Sequence, residues 1–253
     1  MLSEKPWWAE AVMQLCAAQI GCLCLGMVAV GLLHKLGVTG FKHEESFGNI
    51  LVGTLSFQGA SWVLIPFLLR QHRIGWSEAL GFSGPGLKRA LLMALGFILV
   101  VLPVVLMLQA LSIQVLGKIG WSSDDQTAVR LLTDAKSVWT VVYLDVFAVV
   151  LAPVAEEFIF RGMLFPFVKQ LGFPKLAWFG VSFLFALIHL NAPTLLPLFV
   201  FALGLTWLYD RTNNLLAPIT AHALFNATNL VLLLYGKQIN QLLERLNHFL
   251  HLT

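Results

Sequence analysis

Apolar runs long enough to cross a bilayer recur along this chain, separated by short polar connections. A crossing helix needs about 20 such residues. In lipid the backbone must satisfy its own hydrogen bonds, which favours helices. Only 11% of the 253 residues are charged and 58% are hydrophobic, with mean hydropathy +0.81. Soluble domains carry about 25% charged residues, so this chain cannot cover itself with a water-facing surface. The sequence predicts an integral membrane protein of the all-α class, a polytopic transmembrane helix bundle of about seven spans plus a carboxyl-terminal amphipathic helix. Its surroundings are the lipid bilayer, and the plasma (inner) membrane if the source is bacterial. A net charge of +3, with basic residues dispersed in short loops, is too small to imply nucleic acid, and none is expected as a partner.

The expected spans are Ala9–Leu33, Asn49–Leu69, Ala90–Val115 with a kink at Pro103, a fourth from Ser137, Lys175–Leu190, Thr194–Tyr209 and Leu215–Leu234. Asn191 and Pro193 separate the fifth from the sixth. A short surface helix is expected at Thr127–Leu132, within the longest hydrophilic connection. In the tail, Ile239, Leu242, Leu243, Leu246 and Phe249 recur at helical spacing, which predicts an amphipathic helix on the membrane surface. Residues 1–136 are thus read as amino-terminal spans, 137–234 as a four-helix core and 235–253 as a tail, all in one integrated domain. Cys16, Cys22 and Cys24 lie together in the first span and read as packing residues, not as a disulfide framework or thiolate metal site. The lysines and arginines divide eight against seven between the two sides of such a bundle. The concentration of Arg70, Arg73, Lys88 and Arg89 in one loop places that loop and the amino terminus in the cytoplasm.

The fourth span carries Glu156, Glu157 and Arg161. Each such charge costs roughly 2.5–3.5 kcal/mol at a helix centre, so an intramembrane cluster marks a functional site before anything else. An ion pair joining helices is the plainer alternative. Neighbouring helical residues diverge by about 100°, and the two glutamates are therefore not expected to enter one cavity. Glu157 precedes Arg161 by four residues, the favourable order for a pair, which leaves Glu156 for water or substrate. Phe185 and His189 share one face of the fifth span. His222 and Asn226 share one face of the seventh, and Asn229 extends it. A carboxylate to take a proton from water, an imidazole to position it, and an imidazole with an amide for an oxyanion are what peptide hydrolysis needs. Asp145, three turns before Glu156 and nearly in phase with it, is expected to make a helix contact or line the cavity.

The ordered set Glu156-Glu157-x-x-x-Arg161, Phe185-x-x-x-His189 and His222-x-x-x-Asn226, with the run from Gly204 to His222, resembles the CAAX-protease and bacteriocin-processing family of intramembrane proteases, also called the type II CAAX prenyl endopeptidase or Abi family. The resemblance covers about Ala148–Leu230. It implies a general base at Glu156 supported by Glu157, His189 acting on the water, and His222 with Asn226 serving the oxyanion. Arg161 and Phe185 are structural supports. That family is described both as metalloproteases and as metal-independent glutamate proteases. Lacking a His-Glu-x-x-His helix, this sequence favours no cofactor, with zinc on Glu156, His189 and His222 as the alternative. The expected function is an endopeptidase acting on a membrane-associated or lipidated peptide. The competing reading is a non-catalytic transporter, immunity or scaffold factor that binds an ion or partner at the same cluster. Transporters usually show polar, broken helices in both halves, whereas here the polar residues are confined to the carboxyl-terminal half.

Overall fold

The computed structural model describes residues 2–41, 46–81, 86–120 and 138–251. Among these the regular structure is helical throughout. In chain order, α1 is Ala9–Lys35, α2 Phe47–Gln71, α3 the short Trp76–Leu80, α4 Leu87–Lys118, α5 the run 138–170, α6 Leu176–Leu187, α7 Ala192–Thr212 and α8 Leu216–His251. The surface helix expected at Thr127–Leu132 falls outside the described residues.

Five helices are long and apolar enough to cross a membrane: α1, α2, α4, α7 and the Leu216–Gly236 part of α8. Two further runs, α5 and α6, correspond to the expected fourth and fifth spans. Helix α6 is only about 18 Å long at 1.5 Å per residue, short of a hydrocarbon layer of about 30 Å. It stops at Leu187, and the chain turns through Leu190 at a positive φ of 48°. Asn191 then caps α7, its side chain accepting from Thr194 N at 3.1 Å with Pro193 in the first turn. Helix α8 runs unbroken to His251, so the tail continues the last span and does not begin a separate helix.

The amino-terminal segment and three connections gather at one end of the bundle. Leu2 N donates to Asp210, Lys5 N to Gln170, and Leu215 N to the carbonyl of Leu80. Lys169 and Asp210 form an ion pair there. Gly81, at φ +72°, admits this closeness: a Cβ on it would lie 2.0 Å from the Asn213 carbonyl oxygen. Chain segments leaving this end through α4 and α6 therefore return to it through α5 and α7. One core cluster joins α1 and α2 to α5 and α6, and a second joins α4 to α7 and α8. Leu25, Met27, Leu99, Val100 and Val63 stand exposed on the outside, the surface lipid would cover.

Three of these helices contain π turns, in which the backbone N–H reaches back five residues instead of four. They are Leu55–Gly59 in α2, Phe147–Leu151 and Phe158–Leu164 in α5, and Leu176–Gly180 in α6. The two in α5 bracket Glu156 and Glu157.

Candidate active site

Carbonyls released by the π turns are taken up by side chains from distant helices. In the first α5 turn, Ala152 N bonds to Phe147 O, and Pro153 has no N–H to offer Ala148. Asn226 of α8 donates its amide to Ala148 O at 2.8 Å. In the second turn, the α-helical partner of Gly162 O would be Pro166, which also lacks an N–H. Trp7 Nε1 donates there at 2.6 Å. In α2, Gln19 of α1 donates to the carbonyls of both Ser56 (3.3 Å) and Phe57 (2.8 Å).

Glu157, between the two α5 turns, and Arg161, inside the second, are wholly buried and paired at 2.8 Å. Arg161 also donates to Ala202 O of α7 at 3.2 Å and lies 4.4 Å over the Phe185 ring. The same Glu157 oxygen meets His222 Nδ1 at 2.9 Å. A carboxylate oxygen that accepts from a guanidinium can only accept again, so Nδ1 carries the proton and Nε2 faces the other way. Nε2 lies 4.0 Å from Glu156 Oε2. The expectation that the glutamates serve separate places needs correction. Their side chains diverge, but an imidazole has a nitrogen at each end and spans both.

Glu156 is 8% exposed. Its other oxygen, Oε1, accepts from Gln58 Nε2 of α2 at 3.4 Å. The sequence reading missed Gln58 and its supporter Gln19. A carboxamide inside an apolar run was the available signal for both.

His189 sits at the end of α6, with Nδ1 2.8 Å from Phe185 O, its ring 5.0 Å from the Phe185 ring. A carbonyl only accepts, so here too Nδ1 bears the proton and Nε2 is left over. Phe185, fully buried, touches Arg161, His189 and His222 and forms the wall common to them. Phe201 closes the opposite side of His222 at 5.6 Å. Arg161, Glu157, His222 and Glu156 thus follow one another in a chain of contacts, while His189 joins them through Phe185 and Asn226 faces the α5 backbone. Among the described residues no three His, Cys, Asp or Glu side chains are grouped to hold a metal ion. The candidate zinc set of Glu156, His189 and His222 does not form such a group among the described residues. Asp145 does not share the face of Glu156 as expected. The intervening π turn adds about one residue to that turn, a slip of about 100° in register. Its Oδ1 is buried with no hydrogen-bond partner among the described residues.

Residues 137–228, a little over a third of the chain, match the family model described as type II CAAX prenyl endopeptidase Rce1-like. That segment is similar to the Rce1-like domain, the name by which it is called below. The Rce1-like domain contains every site residue read from the sequence, together with the two π turns that orient them. No curated protein and no solved structure matches the chain. Gln58 and Trp7 reach the Rce1-like domain from outside the matched residues, and Gln19 supports the α2 turn that carries Gln58.

Proposed function

We propose that this membrane protein is an intramembrane endopeptidase of the CAAX type, hydrolysing a peptide bond near the end of a membrane-associated, prenylated peptide. An Rce1-like domain supports protease activity in general. The observation that carries the finer reading is the buried Glu156 carboxylate facing His222 Nε2 at 4.0 Å, with Nδ1 of that ring tied to the Glu157–Arg161 pair.

Glu156 takes a proton from water as the oxygen attacks the peptide carbonyl. It returns that proton to the leaving nitrogen as the C–N bond breaks, so the site ends as it began. Of the water's two hydrogens one goes to Glu156 and the other is accepted by Nε2 of His222, which orients it, while His189 flanks the site beside the shared Phe185 wall. Asn226 spends one amide hydrogen on Ala148 O and keeps the second for the oxyanion. This revises the sequence reading for His222, whose neutral ring has no proton on Nε2 to give an oxyanion. Each of these steps is carried by the chain's own side chains.

The test compares peptides in membranes of cells expressing wild type or Glu156→Gln by mass spectrometry. New carboxyl-terminal fragments that depend on Glu156 support the reading. Identical peptide populations with both proteins folded and expressed would favour the non-catalytic alternative.

A further inference from the structure

We propose that Gln58 is a positioning residue for the reaction, supplied to Glu156 by a helix outside the Rce1-like domain. The inference rests on the reading of Glu156 as the base. A glutamate side chain has three rotatable bonds, and the packed ring of His222 meets only one of its oxygens. Gln58 Nε2 donates to the other, Oε1, which fixes the carboxylate plane and leaves Oε2 toward Nε2 of His222. A cation in this place would neutralise the base. A carboxamide orients it and leaves its charge available.

The placement of Gln58 depends on the π turn Leu55–Gly59. Without that turn, the side chain would be displaced by about 100° around α2. Gln19, itself 6% exposed, holds the turn open by donating to Ser56 O and Phe57 O, the latter also accepting from Ser61 Oγ at 2.6 Å. A continuous path thus runs from Gln19 through the α2 backbone to Gln58 and Glu156. It crosses from the amino-terminal helices into the catalytic core, whose motifs alone do not contain it.

The experiment uses the full-length protein in detergent and an internally quenched peptide ending in a farnesylated CAAX sequence. Wild type, Gln58→Met, Gln19→Leu, the double variant and Glu156→Gln are compared by kcat, KM and thermal melt. Methionine keeps the length of glutamine and removes the donor. Misplacement of a reacting group can cost up to about 100-fold, so Gln58→Met should lower kcat by about 10- to 100-fold with KM within about twofold. Gln19→Leu should lower kcat in the same way, and the double variant should be no slower than the worse single, since both act through one contact. Gln58→Met turning over at the wild-type kcat while Glu156→Gln is inactive would overturn the inference and leave the proposed function standing. So would a loss confined to the folded fraction, with kcat per folded molecule unchanged. Activity in Glu156→Gln, or no cleavage of the peptide by wild type, would overturn the underlying reading and the inference with it.

Discussion

Trp7 donates its indole N–H to the carbonyl of Gly162 at 2.6 Å, where Pro166 leaves that oxygen without its α-helical partner. Trp7 thus plugs a gap in the helix that carries Glu156 and Glu157. Removing a partner so that a buried polar group is left unsatisfied costs about 1–3 kcal/mol. Trp7→Phe keeps an aromatic ring and deletes the donor, so it should lower the melting temperature in detergent while kcat per folded molecule stays near wild type. An unchanged melt would show that the carbonyl finds another partner.

Glu157, Arg161 and His222 should behave as one unit. Breaking one member of a buried ion pair typically costs about 3–5 kcal/mol, so Glu157→Gln and Arg161→Gln should both melt early and express poorly. The double variant should recover part of that stability. It should not recover activity, because Glu157 Oε1 also holds His222 Nδ1. Thermal melts and initial rates on all three variants separate the two effects. A double variant restored in both would reduce Glu157 to a structural counter-ion.

Pro153 gives a prediction of opposite sign for stability and activity. A proline inside a helix commonly costs about 3 kcal/mol. Pro153→Ala supplies the missing N–H, favours regular α-helix through Phe147–Leu151, and should leave the melt unchanged or raised. The same change removes the extra residue of the π turn and rotates Glu156 relative to 138–146 by about 100°, so turnover should fall sharply. Full activity in a stabilised Pro153→Ala protein would mean that the turn does not set the site.

The metal question has a direct check. His189 is anchored to Phe185 on its own helix, and no three candidate ligands are grouped among the described residues. Thorough chelation of the purified protein should therefore leave most of its activity. Near-stoichiometric zinc that leaves and returns together with activity would contradict that expectation.

Hydropathy made the helices legible because the lipid requirement acts on every residue of a span. The Glu157–Arg161 pair was equally legible, since it depends only on local helical spacing. What the spacing could not show is a local departure from 3.6 residues per turn. The slip at Phe147–Leu151 arises where Pro153 withholds a donor and Asn226, 78 residues away, supplies one. It takes Asp145 out of phase with Glu156. The amides of Gln19 and Gln58 are polar residues in apolar runs, but spacing within one helix gives no sign of a target on another. Neighbouring glutamates on a helix cannot share a point-like partner, but a ring with a nitrogen at each end reaches both.

The central claim is that Glu156 is the base and Glu157 its support. The most direct measurement is the initial rate of full-length Glu156→Gln on the farnesylated CAAX peptide, taken beside its thermal melt. Glutamine keeps the size of the side chain and an oxygen able to accept from Gln58, and it removes proton-accepting capacity. Loss of a positioned general base typically costs 10²–10⁴-fold. The account predicts a rate reduced by about that factor with a melt within a few degrees of wild type. A Glu156→Gln protein that cleaves the peptide at near wild-type rate would contradict it.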